Sequence, residues 1–260
     1  MKLTFVAVLL LTGLRGCFGQ SGASDTAASD TSAAGSGLPT AQAAYSAPAY
    51  HAALRRFDVR RRQLAGRYRR ATTAARRTAC LGEARQLLLS ELDSTIFPAW
   101  EGTAWAFYGT SWEPRRGSIA CGYFVTTTLH DAGLRLQRTV LAKQASEVLI
   151  KNLTSEAYIT RYRGLSQADF VRQAQALGPG LYVLGLDFHA AFLRVRPDGG
   201  VQMVHSTYLG PGTVVREAAA SSTALPSKYR VLGKVSADPN FLRHWLLGDA
   251  LAVHGATVQQ

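Results

Sequence analysis

One cysteine and two histidines are the residues of this sequence whose types and spacing suggest chemistry. Cys121 stands in GSIACGYFVTTTLHDAG, residues 117 to 133, where a Gly/Ser turn gives way to a predicted helix. His189 and His205 lie on either side of the turn RPDGG, in two predicted strands. A thiol, an imidazole that takes its proton and a second imidazole that orients the first form the nucleophilic site of a cysteine hydrolase.

The helix after the turn positions the thiol. Gly117 and Ser118 are predicted turn or cap residues, and Gly133 is a predicted C-terminal stop. Cys121 then falls in the first helical turn, where free backbone N–H groups and the positive end of the helix dipole favour the thiolate. The same N–H groups can hold an oxyanion.

The predicted strands position the imidazoles. Residues 181 to 187 and 188 to 195 have the pattern of strands, and residues 201 to 208 that of a returning strand. Adjacent strands can present their histidines on one face of a sheet. Upstream, SQAD at 166 to 169 predicts a capping box that opens a helix closed by Gly178.

Two other interpretations of these residues remain open. Cys121 could form a disulfide with Cys80, because an exported protein meets an oxidising compartment. Alternatively, Asp187, His189, His205 and Cys121 could compose a zinc site, although no pair of them shows a recognised metal-ligand spacing.

The N-terminus predicts export. Lys2 is followed by the apolar run LTFVAVLLLTG, which is short for a membrane span, and residues 1 to 16 are predicted to be a signal peptide. The next residues, LRGC, resemble a bacterial lipobox with Cys17 as the lipidated residue, and ordinary signal cleavage nearby is the alternative. Residues 17 to 49 are rich in Ser, Ala, Gly and Thr and predict a flexible tether.

A strongly basic helical segment is predicted over residues 50 to 97, ended by Pro98. The chain has 29 Lys and Arg residues against 17 Asp and Glu, a net charge of +12, and most of the excess is arginine. The arginines indicate either a solvated helix face or a surface for anionic lipid headgroups or wall polymers. Nucleic acid is disfavoured because the protein is predicted to be exported.

The two chemical stretches together resemble the NlpC-type cell-wall cysteine peptidases, a papain-like superfamily. Three positions depart from the family pattern around the nucleophile: Ala120 replaces an Asp, Gly122 a Ser, and Tyr123 a Gly. The departures indicate a divergent branch and leave the three chemical groups in place. The matching residues are Gly109, Thr110, Ser111, Cys121, Phe124, Val125, Ala132, Gly133, Pro179, Gly180, His189 and His205.

The resemblance implies an α+β papain-like domain over residues 98 to 260, in which a helix bearing the cysteine packs on an antiparallel sheet bearing the histidine. It implies amide-bond hydrolysis in peptidoglycan peptides, with Cys121 as nucleophile, His189 as base and His205 as the group that orients it. Tyr108 or Trp105, together with Gly122, would line the substrate and oxyanion site.

No cofactor or metal is expected from this resemblance. The expected partners are peptidoglycan or another anionic envelope polymer, and a membrane reached through the N-terminal lipid. The protein would be a periplasmic or outer-membrane lipoprotein of the cell envelope. The rival functions are a non-catalytic wall-binding module on the same fold and a thiol acyltransferase acting on lipid-like substrates.

Overall fold

The computed structural model describes residues 45 to 255. The predicted signal peptide, the lipidation site Cys17 and nearly all of the predicted tether lie outside the described residues. Within them, the chain is an α+β structure in which a helical N-terminal segment precedes a six-stranded antiparallel sheet with further helices. No helix in this part of the chain has the length and apolar character needed to cross a bilayer.

The arginine-rich segment forms a helical hairpin rather than one continuous helix. Helix α1 is Ala47–Arg70 and α2 is Ala74–Glu91. The chain breaks between them because Thr73 caps α2, its side chain accepting a hydrogen bond from the Arg76 N–H. Ion pairs across the hairpin, such as Arg60 with Glu91, show that the two helices run in opposite directions.

Pro98 does not end the helical segment, which corrects the sequence prediction. The turn Leu92–Ile96 is π-helical, with the Phe97 N–H donating to the Leu92 carbonyl, and α3 follows as Phe97–Trp100. Pro98 occupies the first turn of α3, where its missing N–H leaves no hydrogen bond unmade. The wider π turn lets the chain continue past a residue that would break a regular α-helix.

The helix that carries Cys121 begins at that residue, so Cys121 lies in the first turn as predicted, and Gly133 follows the helix end with a φ of +89°. Its N-cap is Ala120, which has no capping side chain, so the predicted cap residues Gly117 and Ser118 do not fill that position. The predicted Ser166 cap is confirmed: its hydroxyl accepts from the Asp169 N–H and donates to the Asp169 carboxylate. The later helices are α4 Cys121–Asp131, α5 Arg138–Ala142, α6 Ser146–Leu153, α7 Gln167–Ala176 and α8 Pro239–Leu247.

The sheet has the strand order β1-β6-β2-β3-β4-β5, with antiparallel neighbours throughout. The predicted hairpin around RPDGG is present as β3 and β4, while β2 and β3 are joined by a tight turn at residues 187 to 189. His189 therefore precedes β3 instead of lying inside a strand. The strands are β1 Ile159–Arg163, β2 Gly180–Leu186, β3 Ala190–Val195, β4 Val201–Ser206, β5 Val214–Ala218 and β6 Tyr229–Gly233.

Helices cover both faces of the sheet. One hydrophobic cluster joins α1, α2, α4 and α8 to side chains such as Phe192 and Val204, and a second joins α7 to side chains such as Leu193 and Met203. The arginine-rich hairpin thus shares its core with the sheet, and residues 45 to 255 belong to one compact unit. This arrangement explains why β2 and β3 are buried along their whole lengths.

Two helical glycines allow a matched test of this packing. A Cβ at Gly122 would lie 2.2 Å from the Ala142 carbonyl oxygen, whereas a Cβ at Gly82 would meet nothing within 4 Å. We expect Gly122→Ala to lower the free energy of unfolding by about 1–3 kcal/mol, because α5 must move away from α4. Gly82→Ala should raise it by up to about 1 kcal/mol through helix propensity. Urea denaturation of both variants measures the contrast, and equal effects would contradict the close α4–α5 contact.

Candidate functional site

Two imidazoles and a carboxylate form a hydrogen-bonded chain across three neighbouring strands. His189 Nε2 lies 2.9 Å from His205 Nδ1, and His205 Nε2 lies 3.0 Å from the Glu217 carboxylate. The two rings are nearly perpendicular, at 82°. His205 is fully buried, so its hydrogen bonds are made without competition from water.

The hydrogen-bonding capacities assign the tautomers along this chain. The Glu217 carboxylate only accepts, so His205 carries its proton on Nε2 and leaves Nδ1 as an acceptor. His189 must then donate through its Nε2–H. The lone pair of His189 is consequently on Nδ1, the nitrogen that faces away from His205 and is free to take a proton.

Burial keeps both rings neutral. It lowers the pKa of His189 to about 3, and the neighbouring His205 adds to the shift. Burial also lowers the pKa of His205, against the hydrogen bond and charge of Glu217, which raise it. At neutral pH the resting site therefore holds neutral imidazoles, and His189 becomes an effective base only when a negative charge such as a thiolate comes near it.

The turn that carries His189 is anchored by Asp187. The Asp187 carboxylate accepts from the Ser227 hydroxyl at 2.8 Å and from the backbone N–H groups of Lys228 and Tyr229 at 2.7 and 3.2 Å. The same hydrogen bonds, led by that from Lys228, lower the pKa of Asp187. These contacts direct Asp187 toward the segment before β6.

No cluster of three or more metal-ligating side chains occurs among residues 45 to 255.

Cys121 is a free thiol at the first position of α4, and it is half-buried. Cys80 is also free and buried on α2, so the alternative of a disulfide between the two cysteines is wrong. Within the part of the chain that the structure describes, no hydrogen bond joins the Cys121 thiol to His189.

The end of β4 contacts the turn just before Cys121. The Ser206 hydroxyl donates to the Ile119 carbonyl at 2.6 Å, and this bond is buried. Side chains alternate along a strand, so Ser206 projects toward the face covered by α4 and His205 toward the other face, with Met203. The structure therefore brings His189 and His205 together, and it packs Ile119, two residues before Cys121, against the end of β4.

Aromatic side chains surround this end of the sheet. A cleft of about 270 Å³ is lined by His189, Phe188 and Tyr208, and Phe188 is 99% exposed. Trp105 packs its ring against Tyr208 at 5.4 Å, whereas Tyr108 is 88% exposed and lines a separate cleft with residues 109 to 118. Of the two alternative tyrosine-equivalent candidates, Trp105 is the one connected to the His189 cleft.

The third predicted lining residue, Gly122, is buried against α5. The close approach of the Ala142 carbonyl explains why glycine stands at this position, since any side chain there would clash with α5. Any part that Gly122 takes in binding an oxyanion would come from its backbone N–H, and its role stays a prediction.

Glu217 is the residue of the site that the sequence did not reveal. It lies in β5, and its partner His205 is one strand away, beyond the connection of residues 207 to 213. The available signal was that Glu217 is the one acid in the strand pattern VVREA. Recognising it requires the β4–β5 register, in which His205 pairs with Val215 and Glu217 is its diagonal neighbour.

The lowered pKa of His189 predicts an acid-sensitive fold. In the unfolded chain this histidine takes up a proton near pH 6.5, and in the folded chain only near pH 3, so stability falls as the pH drops between those values. Replacement by His189→Gln should make this loss shallower, as measured by urea unfolding at several pH values. His254→Gln, at an exposed position, is the control and should leave the slope unchanged. An unchanged slope in His189→Gln would contradict the buried neutral ring.

This chain matches no protein-family model, no curated protein and no solved structure.

Proposed function

We propose that the domain is an exported cysteine hydrolase of papain-like type that cleaves an amide bond in peptidoglycan peptides. The observation that supports this most is the chain His189–His205–Glu217, which leaves the Nδ1 lone pair of His189 unused, at the sheet end where Ser206 contacts the turn before Cys121. In cysteine hydrolases an imidazole base is oriented by a second polar group and activates a thiol. Here His205 and Glu217 would orient His189, and Cys121 would be the thiol that His189 activates.

The proposed reaction proceeds through a thioester. His189 Nδ1 takes the Cys121 proton, and the thiolate attacks the amide carbon to form a C–S bond and an oxyanion. The unpaired N–H groups in the first turn of α4 stabilise that oxyanion. The C–N bond then breaks as His189 returns the proton to the amine. Water, deprotonated by His189, attacks the thioester and releases the acid and the thiol.

Glu217 and His205 act through His189 in this scheme. When His189 takes the proton it becomes an imidazolium, whose Nε2–H still donates to His205. The Glu217 carboxylate accepts from His205, which lies between it and His189, and its negative charge stabilises the positive charge on the His189 imidazolium. The thiol must approach His189 Nδ1 when substrate binds, since catalytic hydrogen bonds commonly tighten only in the complex.

One observation favours the alternative of a non-catalytic wall-binding module. The thiol makes no hydrogen bond to His189, and strand alternation places His205 on the sheet face away from α4. If this separation persists with substrate, the domain retains a cleft rimmed by aromatic rings but performs no chemistry. The two functions differ in whether Cys121 is needed for product formation.

The matched cysteine variants test hydrolysis directly. Purified peptidoglycan is incubated with wild type, Cys121→Ser and Cys80→Ser, and the released muropeptides are measured by mass spectrometry. We expect Cys121→Ser to remove products while still pelleting with the wall, because serine is nearly isosteric but a much weaker nucleophile without a site built to deprotonate it. Cys80→Ser, at a buried position outside the site, should retain activity if it remains folded. Identical products from wild type and Cys121→Ser would establish the binding module instead.

A second prediction concerns Glu217 as a positioning residue. Losing one hydrogen bond to a charged group costs about 1.5–3 kcal/mol, so Glu217→Ala should lower kcat about 10- to 100-fold with little change in KM. Glu217→Gln should be intermediate, because its amide oxygen still accepts from His205 but carries no charge. The pH–rate profile supplies the further readout: the acidic limb should shift in Glu217→Ala, and an unshifted profile with an equal loss in both variants would indicate a merely structural role.

A further inference from the structure

A groove between α1 and α2 is lined by arginines and lies on a hairpin with a large excess of positive charge. The two helices contain eleven arginines, no lysine and three carboxylates. The groove has a volume of about 1160 Å³, and its lining includes Arg60, Arg62, Arg67 and Arg70 from α1. From α2 come Gly82, Glu83, Gln86, Leu87 and Ser90.

Internal ion pairs neutralise only part of this charge. Asp58 pairs with Arg61 and Arg62, while Glu83 and Glu91 each pair with one arginine across the hairpin. Among the groove-lining arginines, Arg70 has no carboxylate partner among residues 45 to 255, while Arg60, Arg62 and Arg67 each have one. Elsewhere on the hairpin, the arginines without a carboxylate partner in the described residues are Arg55, Arg56, Arg69, Arg76, Arg77 and Arg85, of which Arg69, Arg77 and Arg85 donate to backbone carbonyls.

Two glycines in helix interiors open this groove. A Cβ at Gly82 would meet nothing within 4 Å, and a Cβ at Gly66 would meet only the Arg70 guanidinium, at 3.4 Å. Packing therefore gives no reason for glycine at either position, although each costs the helix roughly 0.5–1 kcal/mol relative to alanine. Both line the groove, where a missing side chain lets a ligand approach the backbone.

We propose that the groove between α1 and α2 binds a linear phosphate-bearing polymer. Arginine forks match phosphate oxygens in pairs, and the Gln86 amide and Ser90 hydroxyl on the opposite wall can donate to the remaining oxygens of a tetrahedral group. The lining runs along α1 from Arg60 to Arg70, roughly 15 Å at the rise of an α-helix, which suits a short stretch of an extended chain with repeated charges.

The surroundings of the groove argue against two other polyanions. Val59 is the one large apolar side chain that α1 and α2 expose within the described residues, so the hairpin lacks the apolar face that inserts into a bilayer. The groove lining contains no aromatic side chain, and single-stranded nucleic acid is held largely by bases stacking on aromatic rings. This inference is independent of the proposed hydrolysis, since it uses neither Cys121 nor the imidazoles.

Binding of inorganic polyphosphate to the full chain tests the proposal. The double variant Arg62→Gln/Arg70→Gln removes two groove charges, and the matched control Arg163→Gln/Arg172→Gln removes two charges from β1 and α7. We expect the groove variant to lower affinity about tenfold or more and to reduce the slope of log K against log salt by about two, one for each lost phosphate contact. The control should change both quantities little.

Gly82→Leu supplies a test that leaves charge unchanged. A Cβ at this position meets nothing within 4 Å, and leucine favours a helix over glycine, so the variant should occupy groove space and weaken polyphosphate binding while the thermal unfolding temperature is maintained. Equal losses in groove and control arginine variants, or full affinity in Gly82→Leu, would overturn the groove as the site. Tighter binding of poly-glutamate, phosphatidylglycerol vesicles or a single-stranded oligonucleotide than of polyphosphate would overturn the ligand class. Hydrolysis assays on the same variants report separately on the proposed function.

Discussion

The antiparallel register of β3, β4 and β5 is the constraint on which the candidate site depends. Phe192 opposite Val204 and His205 opposite Val215 place His189, His205 and Glu217 on one diagonal across three strands. A shift of one residue in either pairing would turn His205 to the other face and break both hydrogen bonds. Helices on both faces hold this register, because a slip would also expose the apolar side chains of a sheet that is buried on both sides.

The segment before Cys121 is held by a second set of interactions. Arg138 is buried in α5, where it donates to the Thr127 hydroxyl at 2.7 Å and to the Thr110 and Ser111 carbonyls at 2.9 and 2.8 Å. Its guanidinium also stacks on the Trp112 ring at 3.8 Å. A buried arginine satisfied in this way ties the loop of residues 110 and 111 to α4.

Local signals predicted the elements well, and tertiary contacts decided what they missed. The place of Cys121 in the first turn of α4 and the Ser166 cap depend on residues adjacent in sequence, and both predictions were confirmed. The π-helical turn before Pro98 and the role of Gly122 could not be predicted, because each reflects how the chain packs against distant residues. Glu217 was missed for a related reason: its contact with His205 depends on the register in which β4 and β5 pair, which the sequence alone does not show.

The three hydrogen bonds to Asp187 have a consequence for recognition at the neighbouring cleft. They fix the backbone of the β2–β3 turn on folding, and the turn holds Phe188 outward, almost completely in solvent. The backbone ordering that a loop usually undergoes on binding, about 1–2 kcal/mol per residue, is thus already complete before any ligand arrives. A molecule that packs on the Phe188 ring loses only its own freedom and the rotation of one side chain. This side of the cleft is therefore preorganised, and ligand binding there carries a smaller loss of backbone entropy than binding to a mobile loop.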